Sequence, residues 1–166
     1  AHRGLMRADD DAPRVDRGAA AVAALRADAR GPRVIAEIKL RSPSAGTLRL
    51  RAPGALPVIA RTYVAAGASA VSVLCDGPGF GGTPLDLRRV VQAVQVPVLF
   101  KEFVIDAIQV SLARALGAHM VLLLVRVLGR ERLGALVDES LRQGLAPVVE
   151  ASNPAEVEIA LGTRAT

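Results

Sequence analysis

The chain has 21 basic residues, and only two of them, Lys39 and Lys101, are lysine. Arginine serves as the general surface cation here, alongside abundant alanine, so the positions of the two exceptions are informative. Burial can lower a lysine's pKa far enough for proton transfer, which arginine does not permit. Lys39 closes the run VIAEIK (34–39) and Lys101 closes VPVLFK (96–101). Glu37 stands two residues before Lys39, and Glu150 closes APVVE (146–150). Strand side chains alternate between faces, so Ile35, Glu37 and Lys39 share one face and Val34, Ala36 and Ile38 the other. The all-aliphatic face packs on helices, which directs Glu37 and Lys39 to the inside of the sheet. Lys101 shares its face with Pro97 and Leu99, and Glu150 shares its face with Val148. Ionised groups persist in such places only when paired or used. For any one of the four, the plain alternative is the first polar residue after an apolar run. Taken together they argue for one mouth. Two ammonium groups and two carboxylates there suit an anionic substrate and general acid–base chemistry, each charge tuning the others.

The elements that must position these groups alternate strictly. Residues 18–28 are helix-prone, and Gly31-Pro32 ends that helix. Strands are then expected at 34–39, 70–75, 96–101, 119–125 and 145–150. Helices are expected at 55–66, from Thr83-Pro84 to about residue 94, from Asp106 to Leu116, at 130–143, and from Asn153-Pro154 to Gly162. Several of these helices carry a glycine just past the end or a proline just inside the start. Five successive βα units imply a parallel sheet with helices outside it, either an open doubly wound sheet or a (β/α)₈ barrel. Active sites of such folds lie at the C-terminal ends of the strands, where all four groups fall. No G-x-G-x-x-G follows the first strand. The glycine cluster at 77–82 reads as a flexible βα loop or a phosphate cradle.

With 166 residues, half of them hydrophobic, the chain has room for about one domain and a sizeable core. Its net charge of +5 invites a nucleic-acid reading. The arginines are dispersed, however, and four aromatic residues are too few for a stacking platform, so no nucleic acid is expected. The longest aliphatic run, 120–125, is far short of the ~20 residues of a membrane helix, so no membrane is expected. No secretory signal is visible in the N-terminal residues. The single cysteine, Cys75, excludes an internal disulfide and favours a reducing, cytoplasmic compartment.

VIAEIKLRSPSAG (34–46) resembles the first-strand signature of the indole-3-glycerol phosphate synthase family, A-E-[IV]-K-x-x-S-P-S-x-G, which is long and specific. GASAVSVLCD (67–76) with Phe80-Gly-Gly82, VPVLFKEFVID (96–106), GAHMVLLLV (117–125) and VVEASNPAEVEIAL (148–161) are similar to the segments that follow in that family. The resemblance spans about residues 30–162. It implies an α/β fold of the (β/α)₈ TIM-barrel type with an N-terminal helical extension. Here residues 1–33 would form the partly helical extension and 34–166 an incomplete barrel of about five βα units. It implies a carbon–carbon lyase of tryptophan biosynthesis that closes the ring of 1-(2-carboxyphenylamino)-1-deoxyribulose 5-phosphate, with loss of CO₂ and water, and needs no metal or other cofactor. Lys101 would be the general acid that protonates the ketose oxygen. Glu150 would be the acid or base of the dehydration. Lys39 would steer the substrate carboxylate, held by the charge of Glu37. Ser42 would bind phosphate, and Pro43, Phe80, Phe103 and Leu122 would wall the pocket for the aromatic ring, although core packing accounts for the apolar four equally well.

Departures from the pattern are small: Glu102 for the usual aspartate, His119 at a strand start for another, and Ala151-Ser152 for V-H. The larger one is that the family continues with three more strands, which carry N-x-R, E-S-G and a second phosphate loop. A second possibility is therefore a non-catalytic truncated remnant or a split-barrel module completed by self-association or a complementing chain at its open edge. A phosphoribosylanthranilate isomerase would not account for Glu37-Ile-Lys39 together with Ser42-Pro43-Ser44 and Lys101.

Overall fold

The computed structural model describes residues 16–26 and 31–165. Residues 1–15 of the expected extension and the end of its expected helix, at residues 27–28, lie outside them. The elements are α1 (Arg17–Leu25), β1 (Ile35–Ile38), β2 (Arg41–Ser42), β3 (Gly46–Thr47), α2 (Ala55–Ala65), β4 (Ala70–Leu74), α3 (Gly77–Phe80) and α4 (Pro84–Val91), then β5 (Val98–Lys101), α5 (Ala107–Ala115), β6 (Met120–Leu124), α6 (Val125–Arg142), β7 (Ala146–Glu150) and α7 (Pro154–Leu161). Five strands form one parallel sheet in the order β1-β4-β5-β6-β7, and β2 and β3 form a small antiparallel hairpin. Among the described residues β1 and β7 have no further strand beside them, so the sheet is not closed. It is an incomplete barrel.

Strand parity sorts the side chains as alternation requires. On the outer face, Ile38, Val73, Phe100, Val121 and Leu123 are buried in the main core beneath the helices. On the inner face, the register aligns Glu37 with Ser72, Ser72 with Leu99, Leu99 with Met120, and Met120 with Ala146. Leu99, Met120, Leu122 and Leu124 form a second apolar cluster with Ala21 of α1. α1 therefore closes the strands' N-terminal end: the Gly18 N–H donates to the Gly144 carbonyl just before β7, at 2.9 Å. The inner face stays open along the β1 edge, where Ile35 is 40% exposed.

Three expectations shift. Residues 77–82 are not a loose loop: Asp76 caps the short helix α3, accepting from the N–H groups of Gly79 at 2.6 Å and Phe80 at 3.1 Å. Gly82 is required there, because a Cβ would lie 2.0 Å from the Leu74 carbonyl oxygen. β6 ends at Leu124 and passes directly into a helical turn that breaks at Gly129 (φ 65°, ψ 177°) before the main length of α6. α4 stops at Val91, three residues early. His119, just before β6, is half-buried, and its Nδ1 accepts from the Val98 N–H at 3.3 Å. Burial, with the charge of Arg17, lowers its pKa.

Gly18 tests how α1 is seated. A Cβ at this position would meet the Ala146 nitrogen at 2.6 Å and the Leu145 carbonyl carbon at 2.7 Å. Gly18→Ala should therefore cost about 1–3 kcal/mol in urea unfolding. Gly134→Ala, in open space on α6, should instead be neutral or stabilise by up to about 1 kcal/mol. Equal effects at the two sites would contradict this seating of α1.

Candidate active site

The C-terminal ends of β1, β5, β6 and β7 converge on a cavity of about 190 Å³. Glu37, Lys39, Lys101 and Glu150 all line it, and so do Phe80, Phe103 and Leu122. Strand order explains the convergence. β1 and β5 flank β4, so Glu37 and Lys101 reach towards each other over Leu74, the register partner of Lys101. Glu37 holds an ammonium on each carboxylate oxygen: Lys101 Nζ lies 2.7 Å from Oε2, and Lys39 Nζ lies 3.3 Å from Oε1. All three side chains are about one-third exposed, partly desolvated yet open to a ligand. Burial raises the Glu37 pKa, but the hydrogen bonds and charges of Lys101 and Lys39 outweigh it. The net value lies below the usual carboxylate range.

Glu150 stands on β7 in register with Leu124, and Arg126 Nη2 lies 3.5 Å from its Oε1. Phe80 and Phe103 face each other at a centroid distance of 6.4 Å and an interplanar angle of 37°, and with Leu122 they form an apolar wall. Ser42 and Pro43 do not line this cavity. They sit on the β2–β3 hairpin, where Ser42 Oγ accepts from the Ala45 N–H at 3.0 Å and Pro43 lies against Gly79. Pro43, expected as a wall residue, is thus placed beside the α3 turn.

Asp76, Glu102 and Arg126 also line the cavity, and none of the three is among the site residues expected from the sequence. The end-of-strand rule that singled out Lys101 could have found the first two, because Asp76 and Glu102 lie just past the ends of β4 and β5. Arg126 had no such signal, being placed by the helical turn that follows β6. Asp76 is engaged in capping α3. Glu102 accepts from the Phe103 N–H at 2.8 Å. Burial raises its pKa, and the charge of Asp76 adds to the rise against the pull of that N–H. Among the described residues there is no group of three or more His, Cys, Asp or Glu that could hold a metal ion.

The sequence matches the family model for indole-3-glycerol phosphate synthase over residues 6–166. The chain belongs to this family. Curated relatives described as indole-3-glycerol phosphate synthase include one from Nocardioides sp., 46% identical over 136 residues, which covers 81% of this chain and 52% of the relative. Another, from Kineococcus radiotolerans, is also 46% identical over 136 residues, covering 81% and 48%. One from Bacillus mycoides is 41% identical over 128 residues, covering 77% and 50%. The chain spans about half the length of the curated relatives it matches. The family's enzymes are carboxy-lyases of tryptophan biosynthesis with a TIM-barrel fold, and the incomplete parallel barrel described above agrees with that fold.

Two perturbed carboxylates of the cavity, Glu37 and Glu102, should affect acid stability in opposite directions. The folded-state pKa of Glu37 is depressed, so its contribution is present above the unfolded pKa and lost as pH falls through the folded value. Glu102 is raised, so its contribution is present below the unfolded pKa and lost as pH rises through its folded value. Urea midpoints of the parent, Glu37→Gln and Glu102→Gln, measured from pH 7 to pH 3, should show Glu37→Gln losing less on acidification than the parent. Glu102→Gln should lose more. Parallel curves for all three would contradict the assigned environments.

Proposed function

We propose that this chain carries the acid–base half of an indole-3-glycerol phosphate synthase site and acts on 1-(2-carboxyphenylamino)-1-deoxyribulose 5-phosphate. The observation that supports this most is the Lys39–Glu37–Lys101 cluster beside a two-phenylalanine wall. An anionic aromatic ligand would meet cations at one end of the cavity and apolar surface at the other.

In this reading the aromatic ring lies against Phe80, Phe103 and Leu122. Lys39 draws the ring carboxylate towards β1. Lys101, oriented by Glu37, donates a proton to the ketose oxygen as the ring carbon bearing the carboxylate attacks the ketose carbon. The C–C bond to the carboxylate then breaks, CO₂ leaves, and its electron pair restores the aromatic ring. In the second step the new hydroxyl departs as water after protonation, and loss of a proton completes the indole, with Glu150 as the acid or base. Arg126 orients the Glu150 carboxylate. Ser42, on its hairpin outside the cavity, binds the phosphate. No metal or other cofactor is required by this scheme. Residues 1–33 are read as the extension and 34–166 as the partial barrel, acting in the cytoplasm. Among the described residues no helix is long and apolar enough to cross a membrane.

The exposed inner face near Ile35 and the free edges of β1 and β7 favour completion by further strands, from a complementing chain or self-association. The test is turnover of the aminoketose phosphate by the chain alone and together with the sixth to eighth βα units of a relative. We expect turnover on complementation, and Lys101→Ala should lower it about 10²–10⁴-fold, the usual weight of a general acid. Parent-like turnover in Lys101→Ala removes Lys101 from the mechanism. No turnover even when complemented identifies a non-catalytic remnant.

A further inference from the structure

Two arginines of the β1–α2 connection grip the backbone of the β4–α4 connection. Arg41 donates from Nε to the Gly79 carbonyl at 3.4 Å and from Nη2 to the Pro78 carbonyl. Arg51 donates to the Gly81 carbonyl at 2.5 Å and clasps both oxygens of Asp86, at 2.9 and 2.7 Å. Asp86 is completely buried. It also receives the Thr83 N–H at 2.9 Å and Arg89 Nη1 at 3.0 Å. A buried carboxylate left with fewer partners is strongly destabilising, so the bidentate Arg51 is part of what permits Asp86 there.

The glycines of this turn now have a structural reason. The Gly81 N–H takes the Gly77 carbonyl, which leaves the next carbonyls at the end of α3 for outside donors. The guanidinium groups supply those donors. A Cβ on Gly79 would lie 2.8 Å from Asp76 Oδ2, so a side chain there would disturb the cap that shapes the turn. Between the two arginines in sequence lies the hairpin with Ser42. The turn itself carries Phe80, whose ring meets Phe103 at the cavity.

We propose that Arg41 and Arg51 are positioning residues that clamp the Ser42 hairpin onto the glycine turn bearing Phe80, and so set the affinity for the phosphate end of an aromatic sugar-phosphate ligand. The affinity part rests on the functional reading above; the clamp itself does not. Neither arginine touches the ligand in this account. Their effect passes through the spacing between the hairpin hydroxyl and the aromatic wall.

The experiment compares the parent chain with Arg41→Ala, Arg51→Ala, the double variant and Arg51→Lys. Amide hydrogen exchange without ligand reads the clamp at Ala45, Leu48 and Arg49, whose N–H groups are held by Ser42 Oγ and the Leu40 carbonyl. The double variant should exchange at least about tenfold faster at these amides, with α5 and α6 unchanged. Arg51→Lys, which keeps the charge but loses the two-pronged geometry, should fall between parent and Arg51→Ala. Unchanged exchange at the hairpin, or equal acceleration throughout α5 and α6, overturns the clamp. Binding of 1-(2-carboxyphenylamino)-1-deoxyribulose 5-phosphate is the second readout, with Ser42→Ala as the reference. A loosened hairpin with at least fivefold weaker binding supports the proposal. A loosened hairpin with parent-like binding, while Ser42→Ala weakens it, overturns the positioning role. A parent chain that binds no ligand overturns the functional reading and with it the affinity claim, and exchange still decides the clamp.

Discussion

A single carboxylate with an ammonium group on each oxygen holds the mouth of this sheet together. Glu37 lies on the inner face of β1, about one-third exposed. Two lysines from different strands would repel each other there if nothing stood between them. The carboxylate replaces that repulsion with two charge-assisted contacts and fixes where both amines point. The apolar wall, the Glu150–Arg126 pair and the hairpin can each be described by their position relative to this centre.

The fold delivers the cluster by layering. The lower inner face is apolar and is closed by α1, with Gly18 allowing the helix backbone to rest on the start of β7. The upper inner face is charged. The change from one to the other falls within two residues on β1, β5 and β7. Ser72, in register between Glu37 and Leu99, has a buried hydroxyl without a hydrogen-bond partner, and it marks that boundary on β4. Polar groups are thus kept to the end of the sheet where a ligand can satisfy them.

Much of this could be read from the residues alone. Period-two alternation put Glu37, Lys39, Lys101 and Glu150 on inner faces at strand ends, and the βα alternation fixed a parallel sheet. The sharing of Glu37 between two lysines could not be read, because it depends on strand order, which puts only β4 between the strands of residues 37 and 101. The Asp86–Arg51 pair was hidden for a similar reason, since a carboxylate in the first turn of a helix ordinarily serves only as a cap. The run of glycines looked flexible because composition records freedom of the backbone. It does not record that Asp76 and two guanidinium groups remove that freedom. Arg126 went unnoticed because β6 passes into a helical turn without a loop, a junction set by Gly129 four residues downstream of Val125.

Scarcity of lysine makes the central claim directly measurable. Protein labelled only in its lysine side chains should give two ammonium-end resonances, from Lys39 and Lys101, both at the cluster. Nuclear magnetic resonance of the parent and of Glu37→Gln at neutral pH reads the contact without any substrate. The account predicts that both resonances move in Glu37→Gln, and that the two come closer to the position of an exposed lysine. If either resonance stays where it is in the parent, Glu37 does not hold that amine, and the shared mouth is contradicted.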